Sequence, residues 1–204
     1  MSRICILDYG SGNVKSVYNL LASLSDNVKV SNAPQDIEDA THVVLPGVGA
    51  FAAAMRRIHE RLPLDVLDRV VRQERKPFLG ICVGMQVLAD RGFEFGETPG
   101  LGWIGGDTRK LDSGDFPLPH IGWNNIDVRQ QSPLLNGLEN APDFYYVHSF
   151  AFLPSDPASV LASTDYGQQF CAAIGRDNVY GVQFHPEKSQ RAGIKLAKNF
   201  LAMT

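Results

Sequence analysis

The segment that decides the fold is Lys76-Pro77-Phe78-Leu79-Gly80-Ile81-Cys82-Val83-Gly84-Met85-Gln86. Its apolar first half predicts a buried strand, and the stretch from Cys82 to Ala89 predicts a helix. A glycine on each side of Cys82, at two-residue spacing, allows a sharp turn between them and leaves the central side chain exposed. The segment therefore predicts a strand, a tight elbow that presents a thiol, and a helix.

Strands and helices alternate before this elbow, which is typical of parallel strands connected by helices. After about Leu101 the pattern changes to short β-rich pieces between turns. We expect one α/β domain over residues 1–204, with a mixed, mostly parallel central sheet flanked by helices and a smaller antiparallel β portion. The predicted strands are Arg3–Asp8, Val28–Ser31, Thr41–Pro46, Lys76–Ile81, Asp143–Phe152, Ser159–Ser163, Gln169–Ile174 and Val179–Phe184, and the predicted helices are Asn13–Leu24, Ala50–Ile58, Leu64–Glu74, Cys82–Ala89 and Gln190–Met203.

Composition excludes several classes of protein. The chain has 204 residues, of which 44% are hydrophobic and 20% charged, with a net charge of -3. It has no long basic run, so we expect no nucleic-acid partner. It has no signal-peptide pattern and no apolar span, so we expect a cytoplasmic protein without membrane contact. Three cysteines without CxxC spacing argue against a disulfide framework or a metal site.

The cysteines have different expected roles. Cys5 and Cys171 lie in apolar strands without flanking glycines, and we expect both to be core residues. Cys82 on its own is equally consistent with a small core residue and with a nucleophile. At a helix N-terminus its thiolate would be favoured by the helix dipole, and the Val83 amide would point into the site as an oxyanion donor.

A second motif, His185-Pro186-Glu187, follows the predicted strand Val179–Phe184. Proline biases His185 toward an extended backbone, and in extended chain Glu187 would project to the same side as the imidazole. A carboxylate there holds the ring in one tautomer, and the other ring nitrogen can face a thiol. The alternative is a surface turn in which all three residues are merely solvated.

A third motif is the glycine-rich loop Pro46-Gly47-Val48-Gly49 at the end of a strand. Such a loop brings backbone N–H groups close to an oxyanion, and each donor contributes about 2.7 to 4 kcal/mol in the transition state. The alternative is a plain connection between a strand and a helix. Gly10-Ser11-Gly12 does not extend to a dinucleotide-binding loop because Lys15 occupies the third glycine position. We expect no cofactor.

Taken together, these motifs resemble the class I, or triad, glutamine amidotransferases over nearly the whole chain. The resemblance implies that Cys82 is the nucleophile, His185 the general acid/base and Glu187 its orienting carboxylate. It implies L-glutamine as substrate and no metal or cofactor. The implied oxyanion and substrate-binding residues are Gly47, Val48, Gly49, Val83, Gln86, Ser149 and Phe150.

The opening Asp8-Tyr9-Gly10-Ser11-Gly12-Asn13 and the segment His120-Ile121-Gly122-Trp123-Asn124 resemble one branch of this family, whose members supply ammonia to a (β/α)₈-barrel cyclase subunit. That resemblance implies a heterodimer. The implied interface residues are Asn13, Ser16, Trp123, Asn124, Tyr145 and Lys188. Trp123 could instead be a core aromatic, and Lys188 a solvated side chain. A free-standing cysteine hydrolase for another amide and a non-catalytic interaction protein are the alternative functions.

Overall fold

The computed structural model describes residues 2–10, 12–138, 140 and 142–204, so Ser11 of the Asp8–Asn13 motif lies outside the described residues. The strands are β1 Ile4–Ile6, β2 Val28–Val30, β3 His42–Gly47, β4 Phe78–Cys82, β5 Arg91–Gly92, β6 Thr98–Pro99, β7 Gly106–Lys110, β8 His120–Asn125, β9 Asp127–Val128, β10 Asp143–His148, β11 Phe150–Pro154, β12 Val160–Tyr166, β13 Gln168–Arg176 and β14 Val179–Val182. The α-helices are α1 Val14–Ala22, α2 Pro34–Asp39, α3 Phe51–Arg61, α4 Leu64–Leu67, α5 Val83–Gln86 and α6 Gln190–Leu201. Helix α4 continues as a π-helix over Asp68–Gln73, and short 3₁₀-helices occupy Pro133–Leu135, Pro157–Ser159 and Pro186–Lys188.

The central sheet has eight strands in the order β2-β1-β3-β4-β14-β13-β12-β9. The first five strands of this order pair in parallel, and the last three continue the sheet with antiparallel pairing. Strands β3 and β4 are buried along their whole length, as their continuous apolar sequences predict for parallel strands covered on both faces. The predicted mixed, mostly parallel sheet is confirmed.

Two smaller sheets carry the antiparallel β portion. One is an antiparallel ribbon of β8 and β10. The other has the order β11-β7-β5-β6 and is mixed, because its outer pairs are antiparallel whereas β5 and β7 pair in parallel. In β10 every second residue is buried, which is the alternation expected of a strand with one face on the core. The ribbon therefore has an inner and an outer face.

Several predicted elements differ from those observed. The predicted strand Asp143–Phe152 is two strands that leave Ser149 between them, because β10 pairs with β8 and β11 pairs with β7 in another sheet. Helix α2 was missed because it is short and buries only Ile37. The predicted helix Cys82–Ala89 is helical only over Val83–Gln86 and continues as turns.

The hydrophobic core extends through the central sheet and includes both cysteines that we expected there. Cys5 and Cys171 are 1% and 5% exposed, which confirms their core assignment. Helices α1 and α6 contact each other and the 3₁₀-helix Pro186–Lys188. Of the helices in the described part of the chain, none is long and apolar enough to cross a membrane.

Candidate active site

The sheet brings the predicted motifs together at one edge. Strands β3, β4 and β14 are parallel neighbours, so their carboxyl ends lie side by side. In register, Gly47 is paired with Cys82, and Val182 is paired with Ile81. The segment that follows Val182 leads directly to His185. Ligand sites of parallel α/β sheets lie at this carboxyl edge.

The elbow at Cys82 has the strained geometry that its flanking glycines predict. Cys82 has φ 56° and ψ -110°, a conformation that residues with a β-carbon rarely adopt. A β-carbon at Gly80 would overlap the Gly84 carbonyl, and one at Gly84 would overlap the Leu45 carbonyl. The two glycines thus allow the strand and the following helix to approach closely. The expected exposure of the Cys82 side chain is wrong, since the residue is 3% exposed, and its thiol instead lies at the wall of a cavity.

His185 and Glu187 form a buried pair. His185 has the extended backbone that we expected, with φ -104° and ψ 94°, but the chain does not stay extended as far as Glu187. Pro186–Lys188 is a 3₁₀-helix, and its turn brings Glu187 back to His185. The His185 Nδ1 nitrogen lies 2.7 Å from Glu187 Oε1, and the two side chains are 2% and 0% exposed. The carboxylate therefore holds Nδ1 protonated and leaves Nε2 as the nitrogen that can exchange a proton with a substrate.

The environment of His185 favours its charged form. Burial by itself lowers the pKa of His185, but the hydrogen bonds and charges of Cys82 and Glu187 outweigh it and raise the pKa to about 9. At neutral pH the ring is therefore an imidazolium beside the cysteine. Such a ring can stabilise a thiolate and later give a proton to a leaving group.

Asn13 contacts this pair directly, which the sequence did not indicate. Its Nδ2 amide donates to Glu187 Oε1 at 2.8 Å and lies 3.3 Å from His185 Nδ1. Because Nδ1 already donates to Glu187, only the contact with the carboxylate is a hydrogen bond. The other oxygen, Glu187 Oε2, is buried and has no hydrogen-bond partner among the described residues. Asn13 thus shares the stabilisation of a buried carboxylate with His185.

Gln183 is a second residue of the site whose role the sequence did not reveal. It is fully buried, and its Nε2 donates to the Cys82 sulfur at 3.7 Å. Its Oε1 accepts from Gln86 Nε2 at 3.0 Å. It lies two residues before His185, in the predicted strand Val179–Phe184 that leads into the His185-Pro186-Glu187 motif, and that position is the signal that could have identified it.

A cavity of about 450 Å³ opens in front of Cys82 and His185. Asn13 and Lys188 reach its wall, and so does Glu94, which accepts a hydrogen bond from the Phe51 amide. Gly47 is buried beside Cys82 in the sheet and does not line it. The other predicted oxyanion and substrate-binding residues all line the cavity: Val48, Gly49, Val83, Gln86, Ser149 and Phe150.

Gln86 contributes a specific polar group to this cavity. Both donors of its amide are used, one on the Phe150 carbonyl at 2.9 Å and one on Gln183. Its Oε1 accepts no hydrogen bond from the described residues. Gln86 can therefore bind a ligand only as an acceptor, and it selects a donor such as an ammonium group.

Three of the predicted interface residues lie on the β8–β10 ribbon, on two different faces: Trp123, Asn124 and Tyr145. Trp123 is 49% exposed on the outer face, in edge-on contact with Tyr145, and the Lys188 ammonium lies 5.5 Å from the Tyr145 ring centroid. Asn124 instead donates to the Asp165 carbonyl on the inner face. The outer group lies beside the cavity because Lys188 belongs to both. Ser16 is exposed on the first turn of α1.

The fold and the site define a class of protein. The sequence model of the class-I glutamine amidotransferases matches residues 5–203, and the chain belongs to that family. A crystal structure described as a glutamine amidotransferase superposes with a TM-score of 0.75, covering 97% of this chain and 96% of its own, at 18% identity. At that identity the likeness concerns the fold alone.

Curated relatives narrow the comparison within the family. The chain is 44% identical to imidazole glycerol phosphate synthase subunit HisH 2 of Pseudomonas aeruginosa, covering 98% of this chain and 99% of the relative. It is 45% identical to imidazole glycerol phosphate synthase subunit HisH of Rhodospirillum rubrum, covering 98% of each chain. The alignments thus extend over almost the whole of both proteins.

Proposed function

We propose that this chain is the glutaminase subunit of an imidazole glycerol phosphate synthase, an enzyme of histidine biosynthesis. It hydrolyses L-glutamine to glutamate and ammonia. The observation that carries the proposal is the meeting of Cys82, His185 and Glu187 at one edge of the sheet, with two of them on a cavity that also contains Gln86. The full-length relatives named as subunits of that synthase support the choice of pathway.

The reaction begins with attack of the Cys82 thiolate on the side-chain amide carbon of glutamine. A carbon–sulfur bond forms, and the carbonyl electron pair moves onto oxygen. The Val83 amide and the Gly47–Gly49 loop donate to this oxyanion, each donor being worth about 2.7 to 4 kcal/mol. Collapse of the intermediate breaks the carbon–nitrogen bond, and the His185 imidazolium protonates the departing nitrogen. Ammonia leaves, and a glutamyl thioester remains.

The neutral His185 then acts as a base on a water molecule. Hydroxide attacks the thioester carbon, and collapse of the second tetrahedral intermediate releases glutamate and restores the Cys82 thiolate. His185 takes its new proton from this water, and the product leaves as the side-chain carboxylic acid, which loses its proton to solvent to give glutamate, so the cycle is balanced. Glu187 keeps the ring oriented through both steps because its hydrogen bond to Nδ1 is buried.

Glutamine recognition follows from the polar groups that remain free in the cavity. The Gln86 Oε1 acceptor and the Glu94 carboxylate suit the substrate ammonium, and the backbone at Ser149 and Phe150 borders the same space. A site built to pair with both ends of an amino acid rejects simple amides, because its buried polar groups would be left unpaired. This preference argues for glutamine over an unspecific amide.

The ammonia is consumed in a partner, a cyclase subunit with a (β/α)₈-barrel fold. Ammonia released into water becomes ammonium and loses its nucleophilicity, so a sheltered route to the acceptor is required. Exposed Trp123 and Lys188, with the half-buried Tyr145 between them, form an aromatic and cationic surface beside the cavity, and aromatic residues are enriched in protein interfaces. The two subunits form a heterodimer that makes imidazole glycerol phosphate and aminoimidazole carboxamide ribotide.

Two further features complete the proposal. Glutaminase activity is low until the partner and its substrate bind, because an oxyanion donor in the Gly47–Gly49 loop must reorient. Gly49, with φ 94°, can change conformation without a side-chain clash.

The protein acts in the cytoplasm as one domain, and its three cysteines are free thiols.

The test is glutamine-dependent synthesis by the chain reconstituted with its cyclase partner. Cys82→Ala should abolish the glutamine-dependent rate, whereas synthesis supplied with ammonium salts should survive. Cys171→Ala is the matched control, since it removes a buried thiol from β13, and it should keep both rates. Retention of glutamine-dependent synthesis by Cys82→Ala would refute the proposed chemistry. Equal rates with and without the cyclase substrate would refute the proposed regulation.

A further inference from the structure

Two buried histidines outside the proposed triad face each other across the β8–β10 ribbon. His120 pairs directly with His148 in the antiparallel register, and both are at most 5% exposed. His120 Nδ1 lies 3.1 Å from His148 Nε2. His148 also lines the cavity in front of Cys82. Neither imidazole has a role in the proposed reaction, so their contact requires its own explanation.

The contact of His148 with the Phe150 carbonyl determines which histidine donates the hydrogen bond between the two rings. His148 Nδ1 lies 2.9 Å from the Phe150 carbonyl oxygen, which can only accept a hydrogen bond. His148 must therefore carry its proton on Nδ1. In the neutral ring Nε2 is then a bare acceptor, and His120 must donate to it from its own Nδ1. The proton positions follow from a backbone carbonyl.

The contacts of Asn124 with His120 independently identify His120 as the donor to His148. Asn124 Oδ1 accepts from the Asn125 amide at 3.0 Å, and its Nδ2 donates to the Asp165 carbonyl at 2.8 Å. These two backbone groups fix which way the Asn124 amide points. Its second N–H therefore faces His120 Nε2, 3.4 Å away, and needs an acceptor there. His120 must again carry its proton on Nδ1.

Burial keeps both rings neutral, as this arrangement requires. It lowers the pKa of His120 to about 4, and it lowers the pKa of His148 to about 3. His120 is stacked between Tyr146 and Tyr166, with ring centroids 4.9 and 3.9 Å away. An added proton would place two donors against each other within this aromatic packing.

We propose that His120 and His148 are positioning residues whose neutral rings, in a one-directional chain of hydrogen bonds from Asn124, hold the Phe150 carbonyl in place beside the glutamine pocket. That carbonyl also accepts from Gln86 Nε2 at 2.9 Å, so it uses both lone pairs. The amide of Gln86 is oriented by this bond, and its Oε1 is thereby directed to the ligand. The kinetic part of this inference rests on the proposed function, whereas the proton positions do not.

The first test uses the wild-type free chain and nitrogen-15 NMR of the imidazole rings at neutral pH. Both histidines should show a pyrrole-type shift at Nδ1 and a pyridine-type shift at Nε2. This tautomer is the minor one of free histidine in water, so a ring without these contacts would not show it. A pyrrole-type shift at Nε2, or a protonated ring, in either histidine would refute the proposed series of hydrogen bonds. This result does not depend on glutaminase activity.

The second test separates the hydrogen bonds from the packing. His120→Phe keeps an aromatic ring between the tyrosines but has no donor for His148. His120→Asn loses the stacking but retains an amide donor near the place of Nδ1. The proposed series of hydrogen bonds predicts that His120→Asn keeps the His148 tautomer and the chemical shifts of the Gln86 side-chain amide. It predicts that His120→Phe changes both. A purely structural role predicts the reverse order.

In the reconstituted complex, His120→Phe should raise the KM for glutamine about three- to tenfold and leave kcat within about twofold. His120→Asn should lie closer to the wild type in KM. His42→Phe is the matched control, since His42 is a buried histidine against Phe200 at the start of β3, far from the cavity. Equal KM values for His120→Phe and His42→Phe would overturn the positioning role. If Cys82→Ala retains glutamine-dependent synthesis while the NMR tautomers are as expected, the proposed function is wrong and the proposed series of hydrogen bonds is confirmed.

Discussion

Replacement of Asn13 tests whether a residue predicted from sequence as part of the interface also supports the chemistry. Its amide donates to Glu187 Oε1 at 2.8 Å, and the carboxylate side chain is completely buried. Among the described residues only His185 and Asn13 bond this carboxylate. A hydrogen bond to a charged group is worth about 1.5–3 kcal/mol. At about 1.4 kcal/mol per factor of ten, its loss corresponds to about a tenfold to hundredfold lower kcat/KM.

The informative variant is Asn13→Gly. Asn13 has φ 92°, which glycine adopts without strain, and its side chain makes no capping bond to α1. The glycine variant therefore removes the hydrogen bond alone, whereas Asn13→Ala adds backbone strain. Asn13→Asp replaces the donor with a second carboxylate beside Glu187 and should be more damaging than Asn13→Gly at neutral pH.

The assay must distinguish the triad from the interface. Labelling of Cys82 by an electrophilic glutamine analogue is the expected report on the proposed triad in the complex, and the ammonium-dependent synthesis rate reports on the assembled partner. We expect Asn13→Gly to slow labelling by the factor given above and to leave the ammonium-dependent rate unchanged. A variant that binds the partner more weakly but labels at the wild-type rate would refute the reasoning, because Asn13 would then be an interface residue only.

Three further changes have definite expected outcomes. Gly84→Ala should lower the free energy of unfolding by about 1–3 kcal/mol or more, since its β-carbon would overlap the Leu45 carbonyl. Gly12→Ala is the control and should be tolerated, because its β-carbon would have ordinary contact distances. Urea unfolding of both variants measures the difference. Trp123→Ala should weaken partner binding by about 2 kcal/mol, roughly thirtyfold in Kd, which titration with the partner measures. It should change the free energy of unfolding of the free chain by less than about 0.5 kcal/mol. The pKa of His120 is about 4 in the fold against 6.5 in the unfolded chain, so the contribution of His120 to stability is full above pH 6.5. That contribution falls by about 3 kcal/mol toward pH 4 as the unfolded chain takes up a proton, and His120→Phe should show a smaller loss of unfolding free energy over the same range.

Local sequence determined the strands of the parallel half and the elbow. Apolar runs such as Phe78–Cys82 are typical of strands covered on both faces of a parallel sheet, and the two glycines around Cys82 allow the close approach that a sharp turn requires. These properties depend on neighbours in the chain, so they can be inferred without tertiary structure. The resemblance of the motifs added the family, which the match over residues 5–203 confirms.

Tertiary structure decided which side chains meet. Asn13 reaches Glu187 across 174 positions of sequence, and His120 faces His148 only because β8 and β10 pair in one register. The break at Ser149 has the same origin, since the strands on its two sides belong to different sheets. Contacts of this kind depend on strand order and register, which are properties of the whole sheet. The sequence by itself therefore determined the elbow and the family, and only the fold decided which groups contact Glu187, Gln86 and the Phe150 carbonyl.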